Sequence, residues 1–113
     1  MRIIRLDDNN SLNEMSMIRQ RQTGLSYDIW VDNAGSERVI KHNLPRLKVV
    51  IDGNKIPVSI TENPDVLANN KTKEDIPNFR KLSKWIKINL NLLLKFWNRI
   101  ITIDTLIDGL RKL

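Results

Sequence analysis

Cysteine is absent from the 113 residues, and histidine occurs once, at His42. The first absence excludes disulfide staples, thiolate metal sites and cysteine nucleophiles, and it fits a reducing compartment, here expected to be the cytoplasm. The second leaves His42 without a second imidazole. No nearby carboxylate pair is evident in the sequence to make a general acid–base set with it. Glycine and proline number only four each. Gly24, Gly35 and Gly53 stand singly in turn-like contexts, so no glycine-rich loop cradles a phosphate and no cofactor is expected. The carboxylates Asp28, Asp32, Glu37, Asp52, Glu62 and Asp65 are scattered. Turn and cap roles account for most of them, and no metal site is expected.

Long apolar runs are missing too. The longest stretch, from Ile86 to Ile103, is interrupted by Lys87, Lys95 and Arg99. Each such charge at a bilayer centre costs roughly 2.5–3.5 kcal/mol, so no transmembrane segment is expected. The opening MRIIRLDDNNSLNEM is basic at its start but has no apolar run of the kind a signal peptide carries. A chain of this length reads as one domain over residues 1–113. Its 41% hydrophobic and 28% charged residues are ordinary for a globular protein.

What is there is concentrated in one place. Between Pro77 and Ile103 lie Arg80, Lys81, Lys84, Lys87, Lys95 and Arg99 and no acidic residue. The chain's 19 Lys+Arg against 13 Asp+Glu leave a net charge of +6. This segment therefore supplies the whole excess. It also holds Trp85 and Trp97, two of the three tryptophans.

The order of elements reads strands first, helices after. Arg2–Leu6 is expected as an edge strand, and Leu12–Ile18 contains a second apolar run. Arg19–Ser26 reads as a connection. Tyr27 to Val31 alternates with Tyr27, Ile29 and Val31 on one face, and Arg38–Lys41 is a candidate return strand after the turn at Asp32–Ser36. Arg46–Ile51 and Lys55–Ile60 flank Asp52-Gly53-Asn54, the clearest hairpin in the chain. Pro57 assigns the second arm to an edge or a bulge.

Asn63-Pro64-Asp65 has the grammar of a helix start, which predicts a short helix to about Asn69. Pro77 opens a long helix reaching about Ile101, and Thr102 or Asp104 caps a final one through Leu110. The fold class is α+β: a small antiparallel sheet from the N-terminal half, packed against one long C-terminal helix with short flanking helices.

At 100° per residue the long helix divides into two faces. Leu82, Ile86, Leu90, Leu93 and Trp97 form an apolar stripe flanked by Trp85, Leu94, Phe96 and Ile100. Opposite lie Arg80, Lys84, Lys87, Asn91, Lys95 and Asn98, with Lys81 and Arg99 on the shoulder. Asn89 falls inside the apolar arc, where a buried amide would hydrogen-bond a backbone and fix the helix in register. An ordinary solvated face mixes Glu with Lys at i, i+4. The one-signed stripe instead suits a phosphate backbone or an acidic partner. On the strands, Arg46 and Lys48 alternate with Leu47 and Val49, placing a second pair of cations on the sheet face away from the core.

The tract Leu82–Asn98 (LSKWIKINLNLLLKFWN) resembles the C-terminal helix of small bacterial domains of unknown function, some of them encoded beside antitoxin-like or DNA-binding partners. The resemblance covers about a third of the chain. It implies a cytoplasmic accessory or regulatory module and assigns no functional residue. The histidine-bearing early strands usual in those domains are not evident here.

The sequence therefore reads as a non-enzymatic interaction module. Its expected contact residues are Arg80, Lys84, Lys87, Lys95 and Arg99, with Arg46 and Lys48, and its expected partner is an acidic protein or nucleic acid. Two other readings compete: a small hydrolase or nuclease using His42, and a structural subunit whose cations are merely solvated.

Overall fold

A computed structural model describes residues 15–33 and 44–113. Its elements run β1 (Met15–Ile18), α1 (Gln20–Thr23), β2 (Ile29–Asp32), β3 (Arg46–Ile51), β4 (Asn54–Ser59), α2 (Phe79–Ile88), α3 (Leu90–Trp97) and α4 (Ile103–Gly109), with a 3-10 turn at Lys73–Asp75. The fold is α+β. The four strands make one antiparallel sheet in chain order, β1-β2-β3-β4. The strands expected at Arg2–Leu6 and Arg38–Lys41, and His42 with them, lie outside the described residues.

The hairpin forms where Asp-Gly demands it. Ile51 pairs with Asn54, and the two residues between them both take positive φ, 49° at Asp52 and 81° at Gly53. That combination matches the right-handed twist of the flanking strands. Pro57 pairs with Lys48, yet its carbonyl points outward to accept the Leu67 N–H at 2.9 Å. The N of the same residue faces the same way, so the β3–β4 ladder loses no bond to the proline.

The helix expected at Asn63–Asn69 is not there. Ser59 N–H donates to the Asp65 carbonyl at 2.9 Å, Val66 bridges Val58, and Asp65 N–H donates to Ser59 Oγ at 2.9 Å. The local cap grammar lost to the outer edge of β4, whose backbone groups needed partners that an extended 65–67 segment supplies. The reverse error lies at Arg19–Ser26. A one-turn helix, α1, closes there between the Arg19 N–H···Gln22 Oε1 bond at 2.9 Å and Gly24 at φ 86°. Asp28 anchors it, accepting Gln20 N–H at 3.2 Å and pairing with Arg19 at 3.3 Å.

One cluster of buried side chains fills the space between sheet and helices. Ile18, Ile29, Val31, Leu47, Val49, Ile56 and Val58 come from the strands. Leu82, Trp85, Ile86, Leu93 and Phe96 come from α2 and α3, and Leu106 from α4. Tyr27 is buried on the same face and donates its hydroxyl to the Pro77 carbonyl at 2.9 Å, fixing the approach to α2. Burial pushes its pKa up to about 12.

The folded state thus holds the Tyr27 proton above pH 10, where the unfolded chain releases it. Stability is fully present below pH 10 and falls as pH rises toward 12, by roughly 2 kcal/mol in all. Urea unfolding at pH 9, 10.5 and 11.5 is expected to show a steeper loss in the wild type than in Tyr27→Phe. Equal slopes would remove Tyr27 as the cause.

Candidate functional site

The long helix of the sequence is divided in two at Asn89, which takes φ −112° and ψ 14° between α2 and α3. Its side-chain Nδ2 donates to the Trp85 carbonyl four residues back, at 3.0 Å. This competes with the helical ladder, where Asn89 N–H is shared between the Trp85 and Ile86 carbonyls at 3.2 Å each. A polar side chain bonding back to i−4 is a known way to bend a helix. The expected hydrogen bonds to backbone outside the helix are present as well. Nδ2 also donates to the Arg111 carbonyl at 3.0 Å, and Oδ1 accepts Arg111 N–H at 2.7 Å.

The break leaves the two faces in phase. Buried positions run Leu82, Trp85, Ile86, Asn89, Leu93, Phe96 and Trp97, and exposed ones run Arg80, Lys84, Lys87, Asn91, Lys95 and Asn98. Both series keep three- and four-residue steps across the junction. Ile100 is the exception to the expected stripe, being 67% exposed. α3 ends at Trp97, and the chain reverses through Arg99 at φ 63°. Arg99 N–H donates to Phe96 O at 3.0 Å and Ile100 N–H to Lys95 O at 2.8 Å, the paired bonds of a Schellman C-cap. Arginine thus occupies the left-handed position that glycine usually fills, at a backbone cost of roughly 1–2 kcal/mol.

The electrostatics of this face are one-sided. Arg80, Lys81, Lys84, Lys87, Lys95 and Arg99 are all exposed. Among the described residues none of them takes part in an ion pair or a side-chain hydrogen bond. α2 has no acidic residue in its first turn, and its N-cap Asn78, at φ 54°, makes no side-chain cap bond. The positive end of the helix dipole therefore adds to the cations beside it instead of being neutralised. A hollow of about 220 Å³ opens at this end, lined by Gly24, Leu25, Ser26, Tyr27, Asn78 and Lys81.

Arg46 and Lys48 do not extend the helix face. They alternate with the buried Leu47 and Val49, so they lie on the sheet side turned away from α2 and α3. Arg46 Nε donates to the Leu44 carbonyl at 3.2 Å. Asp32 is their acidic neighbour: burial raises its pKa, and Lys48 and then Arg46 pull it back. On the same side of the sheet Trp30 pairs in register with Met17 and Lys48, and Lys55 Nζ sits 4.6 Å from the Trp30 ring centre, a cation–π contact. Only the strand register brings Lys55 to Trp30.

Asp28 is occupied by Arg19 and Gln20. Among the described residues no group of three or more His, Cys, Asp or Glu could hold a metal ion. No helix among them is long and apolar enough to cross a membrane. Compared with protein-family models, curated proteins and solved structures, the chain matches none.

Proposed function

We propose that this protein is a non-enzymatic binding module of the cytoplasm whose α2–α3 face engages an anionic macromolecule, an acidic protein or nucleic acid. One observation carries the reading: six exposed cations lie on and beside α2 and α3, no carboxylate occurs in the sequence between Pro77 and Ile103, and among the described residues none of the six is in an ion pair. Mutual repulsion is accepted along the whole face, where alternating Glu and Lys would have gained i, i+4 pairs. The resemblance of Leu82–Asn98 to small bacterial domains of unknown function implies an accessory or regulatory module, and the cysteine-free composition fits a reducing compartment.

Retention on an immobilised polyanion such as heparin separates this reading from a merely basic protein. Replacing Lys84, Lys87 and Lys95 together by Glu is expected to bring elution to much lower salt. Replacing Arg21, Lys71 and Lys112 by Glu makes the same change of net charge and is expected to leave elution near that of the wild type. Equal losses from both triple variants would show that total charge, and not this face, governs retention.

A further inference from the structure

We infer that the anionic partner of the α2–α3 face is the phosphate backbone of double-stranded DNA, held without reading bases; this rests on the binding reading above and names its ligand. The first observation is the extent of the face. The exposed series runs along α2, ten residues, and α3, eight residues, about 15 and 12 Å of helix axis at 1.5 Å per residue on either side of Asn89. Cations that long and that closely spaced can follow several consecutive phosphates, which lie one per roughly 1.7 Å of duplex axis when both strands are counted.

The second observation is what separates the cations. Asn91 and Asn98 are the exposed polar residues between and beyond Lys87 and Lys95. An amide donates readily to phosphate oxygen, in the manner of the side chains that position proteins on DNA.

The third is what the face lacks. A protein partner is held by aromatic and apolar anchors buried at the centre of the contact, with charges at the rim. Here Trp85, Phe96, Trp97 and Leu93 all turn into the core. Along this face the large apolar side chains left exposed are Ile88, at 41%, and Ile100, beside Arg99 just past α3, at 67%. Two isoleucines at separate points of the face are ordinary surface features and too little to anchor such an interface.

The same lack bears on the form of the nucleic acid. Single strands are held by stacking on aromatic rings; of those on α2 and α3, Trp85, Phe96 and Trp97 are buried, and Phe79 is half-buried against the core with Lys73 Nζ 5.7 Å from its ring centre. An exposed helical ridge suits the wide major groove of B-form DNA and its flanking phosphates, and does not suit the deep, narrow groove of duplex RNA.

The test is fluorescence anisotropy with two unrelated 24-base-pair DNA duplexes, the corresponding single strands, an RNA duplex and poly-L-glutamate. The two DNA duplexes are expected to bind alike. With five to six phosphates engaged, log K falls with log salt at a slope of about −5, close to a 10³-fold loss between 50 and 200 mM. Lys84→Gln, Lys87→Gln and Lys95→Gln are each expected to reduce the slope by about 1 and to weaken both duplexes equally. Circular dichroism and urea unfolding of each variant keep a binding loss distinct from a folding loss.

Strong preference for one DNA sequence, or tighter binding of single strands or RNA, overturns the assignment. Binding of poly-L-glutamate but not DNA overturns it while leaving the binding reading in place. Failure to bind any of these polyanions sinks both.

Discussion

Trp85→Ala is expected to lower the unfolding free energy by about 3–5 kcal/mol, read as a shift of the urea midpoint at unchanged slope. Trp85 is 0% exposed and sits in the cluster shared by sheet, α2, α3 and α4. Truncation there removes the largest fully buried side chain and leaves a cavity that strands and helices cannot both close. Trp85→Phe is the sharper measurement. The indole Nε1 is buried with no hydrogen-bond partner among the described residues, and such a group costs roughly 1–3 kcal/mol to bury. Phenylalanine gives up ring volume but relieves that cost, so the variant should lie within about 1 kcal/mol of the wild type. If Trp85→Phe were as damaging as Trp85→Ala, Nε1 would have to be engaged after all. Ile100→Ser serves as the contrast, at about 0.5 kcal/mol or less, because Ile100 is 67% exposed.

That contrast marks where periodicity stops being informative. Leu82, Trp85, Ile86, Leu93, Phe96 and Trp97 were placed by 3.6-residue spacing, and all are buried. Ile100 had the same claim by angle. It failed because the helix had already ended, and nothing in the spacing announces a C-cap built on an arginine. The Asp52-Gly53 hairpin and the Thr102 cap, where Thr102 Oγ1 accepts Thr105 N–H at 3.4 Å, were legible because backbone chemistry fixes them locally.

Asn63-Pro64-Asp65 carried an equally clear local signal and yielded to a distant need, the open edge of β4. The cationic face was visible as composition, and the alternation of Arg46 and Lys48 with Leu47 and Val49 already put that pair on the sheet face away from the core. Trp30 and Lys55 lie far apart in sequence, and only strand register joins them.

Asn89→Ala is expected to cost about 2–3 kcal/mol, a large effect for losing one short polar side chain. The amide is 2% exposed and makes three bonds, to Trp85 O, Arg111 O and Arg111 N. Alanine leaves both backbone groups of Arg111 without their partner. The rest of the tail is held at few points: Leu113 N–H donates to Thr23 O at 2.9 Å, and Leu113 packs against Gly24, where even a Cβ would lie 3.0 Å from its carbonyl oxygen. Hydrogen exchange at Arg111 and Leu113 should therefore accelerate well beyond the loss in global stability. Asn89→Asp separates hydrogen bonding from shape. A carboxylate there can still accept Arg111 N–H but cannot donate to Trp85 O or Arg111 O. Burial raises the pKa of the introduced carboxyl, so the protonated form is favoured in the folded state. Stability relative to the wild type should then be best below the ordinary carboxyl range and fall as pH rises through the raised value. A pH-independent deficit equal to that of Asn89→Ala would mean that the carboxyl escapes to solvent and that the tail, not the helix junction, gives way.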